Sequence, residues 1–69
     1  MDHYKGFTIE TIEDEPEKFK AVIRKSSGST LRTAVPPGPD VPAITTPLYW
    51  SADAAIDQAK KVIDAGGVV

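Results

Sequence analysis

Four groups of residues in this 69-residue chain carry side chains that could do chemistry. The single histidine, His3, stands between Asp2 and Tyr4. Those types serve in acid–base work, but residues so near a chain start tend to fray. Glu13, Asp14, Glu15 and Glu17 concentrate carboxylates without the alternating ligands and central glycine of a calcium loop. They read as a solvated turn. Ser26, Ser27 and Ser29 have no base at an evident spacing, so a hydroxyl nucleophile has no support. The fourth group is cationic: Lys18, Lys20, Arg24 and Arg32 are of the types that pair with phosphates. Cysteine is absent, which removes disulfides and thiolate metal sites, and one histidine makes no imidazole ligand set. Gly66-Gly67 follows a helical pattern, the wrong end for cradling a phosphate. The expectation is a protein that is not an enzyme and uses no cofactor or metal.

The net charge of −2 conceals a segregation. Residues 1–17 sum to −5, residues 18–32 to +5 and the remainder to −2. Opposite charges on neighbouring strands pair across a solvated sheet face; read instead as a basic patch, the same residues would take a nucleic acid. Tyr49 and Trp50 read first as residues that close one end of the core. Exposed, they could stack on a base or grip a peptide.

The elements that position these residues follow from hydropathy patterning. Residues 4–13 are rich in β-branched and aromatic types, with Phe7, Ile9 and Thr11 on one strand face and Thr8, Glu10 and Ile12 on the other. Asp14 to Glu17 carry Pro16 in a turn. Residues 18–25 alternate, Phe19, Ala21 and Ile23 against Lys18, Lys20, Val22 and Arg24, as in a half-buried antiparallel strand. After a turn at Gly28, residues 30–35 alternate again and predict a third strand. Five of the six prolines fall in residues 36–47. Proline lacks the N–H a central strand donates, so this stretch reads as a loop or an edge; its Pro36-Pro37-Gly38-Pro39 fits the loose pattern of an SH3 ligand. Ser51 is a good helix N-cap, and Ala52, Ala55, Ile56, Ala59, Val62 and Ile63 repeat at helical spacing up to Gly66-Gly67. Pairs Asp57–Lys61 and Lys60–Asp64 have the spacing to meet on the solvated side.

The fold class expected is α+β, a three-stranded antiparallel sheet packed on one C-terminal α-helix (β-β-β-α), in a single small domain over 1–69 with a proline-rich loop at about 36–47. Phe7, Ile9, Phe19, Ala21, Ile23 and Leu31 should meet Ala52, Ala55, Ile56, Ala59 and Ile63. Leu, Ile, Val and Phe supply 16 of 69 residues, enough for a small core, and a chain this short is stable only with efficient packing or association. No apolar run approaches the ~20 residues of a membrane span. The start Met1-Asp2-His3-Tyr4-Lys5 is no signal peptide. A cytoplasmic location is expected.

Two resemblances rest on particular stretches. Tyr4-Lys5-Gly6, Phe19-Lys20-Ala21-Val22-Ile23-Arg24 and Trp50-Ser51-Ala52-Asp53-Ala54-Ala55-Ile56 with Ala59 resemble the AP2-type DNA-binding domain. That resemblance implies a β-β-β-α fold reading DNA with its exposed sheet face. Glu10 on that face departs from the family's pattern, being repulsive towards phosphates. Val41-Pro42-Ala43 through Ser51-Ala52-Asp53-Ala54-Ala55-Ile56 looks like the HicB-type antitoxin half-domain, which implies a toxin partner. The chain also resembles small bacterial proteins of its size. One helix covers one sheet face, so the function expected is binding through the uncovered face or the proline loop. Ile12 and Val22, apolar on that outer face, would form a dimer or protein contact. Lys18, Lys20, Arg24 and Arg32 would serve the competing nucleic-acid reading.

Overall fold

The computed structural model describes residues 2–34 and 37–69. It shows an α+β fold: an antiparallel sheet with one C-terminal helix against it. Strands β1 (Asp2–Tyr4), β2 (Phe7–Glu15), β3 (Lys18–Lys25) and β4 (Ile44–Thr45) lie in the order β1-β2-β3-β4, and helix α1 spans Ala52–Asp64. The sheet thus has four strands where the hydropathy pattern predicts three.

One local device accounts for the additional strand at the start of the sheet. The chain turns at Lys5 (φ 48°) and Gly6 (φ 85°), so residues 2–15 fold into a hairpin with Tyr4 opposite Phe7. Two consecutive residues at positive φ give a turn whose twist matches that of the strands. The second turn places Pro16 before Glu17, which takes φ 63°. Between Glu13 and Glu15 the register with β3 shifts, leaving Asp14 as a bulge.

The stretch read as a third strand is extended but does not join β3. Leu31 and Val41 exchange both backbone hydrogen bonds, at 2.9 and 2.8 Å. Arg32 and Val69 do the same at 3.0 Å, and the Ala34 N–H donates to the Gly67 carbonyl. Residues 31–34 are therefore held between residues 37–41 and the tail after the helix. Val35 and Pro36, the end of that expected strand and the start of the proline loop, lie outside the described residues. The place beside β3 goes to a segment from the proline-rich stretch instead. Ile44 pairs with Ile23 and Thr45 with Val22. The Thr46 N–H then donates to the Ala21 carbonyl at 2.9 Å, and the Thr46 hydroxyl accepts the Ala21 N–H at 2.9 Å. Tyr49 and Phe19 exchange two backbone bonds at 2.7 Å each.

Helix α1 begins as its sequence signals require: Ser51 is extended and its hydroxyl accepts the Ala54 N–H at 3.1 Å. It ends in a Schellman arrangement, with Gly66 at φ 73° donating to Ile63 and Gly67 donating to Val62. A side chain at Gly67 would press on Val62, whose carbonyl oxygen lies 3.2 Å from the Cβ position. Ala55, Ala59 and Ile63 bury one helix face against Ile9, Ala21 and Ile23, with Leu31 and Val68 closing the cluster. Phe7, Phe19, Ile44, Tyr49, Ile56 and Val62 pack around it.

Candidate interaction surface

Alternation along the strands sets the composition of the face that α1 does not cover. Since Ile9, Ala21 and Ile23 point to the helix, Thr8, Glu10 and Ile12 of β2 and Lys18, Lys20, Val22 and Arg24 of β3 point the other way. Tyr49 packs on the core as the partner of Phe19, and its neighbour Trp50 is therefore turned outward. Trp50 is 80% exposed. The expectation that it closes the core is corrected: Tyr49 occupies that place, and the alternation of adjacent residues sends the indole to the outer side. The Lys18 ammonium lies 5.6 Å from the centroid of its ring, within cation–π range. Together with Leu48 and Tyr49 they line a shallow pocket of about 140 Å³.

The residues expected to form a binding surface separate into distinct environments. Ile12 is 44% exposed and sits opposite Lys20. Val22 is only 4% exposed, so it is not available as a surface contact without rearrangement; Glu10 and Thr45 flank it across the strands. Arg24 pairs with Glu10 at 3.6 Å and Lys18 with Glu15 at 3.6 Å. Lys20 takes no ion pair among the described residues. Arg32 is away from this face, lining with Lys25, Thr30, Asp40 and Val69 a cleft of about 300 Å³. The four cations therefore form no single stripe. Trp50 is exposed because Tyr49 pairs with Phe19 across an extended segment that the neighbouring prolines conceal in the sequence.

A second polar cluster ties β1 to the end of the helix. The Tyr4 hydroxyl donates to both Asp64 carboxylate oxygens, at 2.9 and 2.7 Å, and the Lys5 ammonium also bonds Asp64. The Lys5 and Lys60 ammonium groups each lie 5.4 Å from the Tyr4 ring centroid. Asp64 thus pairs across the structure rather than with Lys60 along the helix. The Lys5 hydrogen bond, followed by that of Tyr4, holds the Asp64 carboxyl below its ordinary range. The bond to Asp64 in turn raises Tyr4 and Lys5. A lowered carboxyl contributes stability above the carboxylate range and loses it as pH falls through its folded value. The raised phenol and ammonium contribute below their ordinary values and lose it as pH rises through the folded ones. Melting temperature measured from about pH 2 to about pH 11 should fall at both ends. Asp64→Asn should shallow both limbs, and limbs of unchanged depth would remove the cluster from the balance.

Among the described residues no group of three His, Cys, Asp or Glu comes together as metal ligands, and no helix is long and apolar enough to cross a membrane. Fold and surface define a small α+β domain with one open sheet face. The chain matches no family model, and no curated protein or solved structure matches it. These comparisons bear on neither the AP2-type nor the HicB-type resemblance.

Proposed function

We propose that this protein is a non-enzymatic cytoplasmic interaction module that self-associates through its outer sheet face, with Trp50 as the anchor and Ile12 as a second contact. The observation that carries this reading is the exposure of the indole, at 80%. Tryptophan is the residue most enriched at binding hot spots, where a large rigid ring is buried on association. The indole and the half-exposed Ile12 offer apolar area that association would bury. Sedimentation over a concentration series should show a dimer. Trp50→Ala and Ile12→Lys should each weaken it by about 1–3 kcal/mol, or roughly five- to 150-fold in dissociation constant. Both variants should retain the far-UV circular dichroism of the parent. A parent that stays monomeric at millimolar concentration ends this reading.

A nucleic-acid interface is the second reading, and the Lys18–Trp50 pair favours it, because a cation beside an exposed ring is a stacking platform for a base. Single-stranded DNA or RNA should then quench the Trp50 fluorescence at low salt, with affinity falling steeply as salt displaces bound counterions. No quenching at low salt removes it. The ion pairs of Lys18 and Arg24 with Glu15 and Glu10 weigh against phosphate binding and support the protein partner.

A further inference from the structure

Two surface features of the chain are complementary in chemistry and far apart in space. One is the shallow pocket of about 140 Å³ lined by Lys18, Leu48, Tyr49 and Trp50. Small-molecule sites run to roughly 300 Å³ or more, so this one has room for a single side chain. Two aromatic rings and a leucine line it, with the Lys18 ammonium beside the indole. The other feature is the stretch Pro37-Gly38-Pro39-Asp40-Val41-Pro42, whose three prolines and Asp40 are all exposed.

The backbone of that stretch is fixed from behind. Val41 exchanges two hydrogen bonds with Leu31, and the Gly38 N–H donates to the Thr33 carbonyl at 3.1 Å. A Cβ at Gly38 would collide with the Thr33 hydroxyl, so the stretch lies close against residues 31–34. Held in this way, the prolines are offered in a preset shape, which lowers the ordering cost of a contact. They cannot reach the indole of their own chain. Tyr49 pairs with Phe19 near one end of β3, whereas Asp40 shares a cleft with Lys25 at the other. At about 3.3 Å per residue those ends are about 23 Å apart.

We infer that the Trp50 pocket of one copy takes the exposed prolines at residues 37–42 of a second copy. This rests on the self-association proposed above and names what the indole meets there. Aromatic-lined grooves recognise extended, proline-bearing segments, whose shape is set before they bind. A direct indole-to-indole contact is disfavoured, because Lys18 stands beside each ring and like charges would meet. The proline stretch brings Asp40 instead, which makes no ion pair among the described residues. It would meet Lys18 and Lys20, which follow one another on the same strand face. Each copy carries one pocket and one proline stretch at opposite ends, so two copies lying antiparallel make both contacts at once and close as a dimer.

Sedimentation of the full chain tests the pairing by complementation. Pro39→Ala with Pro42→Ala should weaken self-association by about tenfold or more, as Trp50→Ala does. Mixed in equal amounts, the double variant and Trp50→Ala should form a heterodimer at concentrations where each alone is monomeric, since one supplies the pocket and the other the prolines. Should the double variant fold poorly, a blocked hexapeptide of residues 37–42 takes its place. Trp50 is the only tryptophan, so its emission reports on the pocket directly. Millimolar peptide should shift that emission in the parent diluted to a monomer, and a peptide with alanine for each proline should not. A double variant that dimerises as tightly as the parent, a mixture without heterodimer, or a peptide without effect would each overturn this inference and leave self-association standing. A parent that stays monomeric at millimolar concentration removes both.

Discussion

Ile23→Ala is expected to bring the protein to the edge of unfolding, with a loss of about 2–5 kcal/mol. Ile23 has no exposed surface. It sits in the middle of a row of isoleucines, facing Ile9 on β2 and Ile44 on β4, with Ala55, Ala59 and Ile63 of the helix in the same cluster. Alanine there loses three methyl or methylene groups from water-free contact and leaves a cavity that rigid neighbouring strands cannot close. A domain of this size has only roughly 3–10 kcal/mol in total, so the loss is a large share. The urea midpoint should fall sharply with little change in slope. Ile12→Ala, on the exposed face, should stay within about 0.5 kcal/mol in the monomer. Similar losses for the two variants would show that the core is not where burial places it.

Thr46→Val should cost about 1–3 kcal/mol although it conserves shape. Thr46 is buried, and its hydroxyl takes the Ala21 N–H while donating to the Pro47 carbonyl at 3.0 Å. Valine would leave the Ala21 N–H buried in the sheet without an acceptor, and an unmet donor there forfeits its hydration. At about 4–8 °C per kcal/mol for domains near this size, the melting temperature should drop by some degrees to about 20 °C. Thr46→Ser keeps the hydroxyl and should recover most of the loss. If valine melts with the parent, the side-chain bond contributes nothing to holding β4.

The parts of this fold that can be read in the chain are those where local pattern and tertiary need agree. The hairpin strand at residues 18–25 and the helix from Ala52, with its Ser51 cap and its glycine stop, coincide with their patterns because each exposes one face and buries the other. Three features were hidden. The break at Lys5-Gly6 lies inside a β-rich stretch, and nothing but the glycine marks it. Strand β4 is two residues long and flanked by prolines, so its pairing depends on Thr46 lending a side-chain oxygen, which no propensity reports. Residues 30–34 have a strand's alternation and do bury Leu31, but alternation names a face and not a partner. The interaction surface inherits these limits. Ile12 is legible as outward and apolar; Val22 has the same pattern but is buried between strands; the exposure of Trp50 depends on Tyr49 lying opposite Phe19, a pairing that no local pattern announces.

The tail that pairs with residues 32–34 has a consequence for how the chain is made. Leu31 is fully buried, yet the Thr33–Val68 bridge beside it joins residues more than thirty positions apart. A ribosome adds about 5–20 residues each second, so the β2–β3 hairpin is complete seconds before Val68 exists. During that interval Ile9, Ala21 and Ile23 have no helix over them, so the hairpin cannot complete its core until the helix and the segment carrying Val68 have been made.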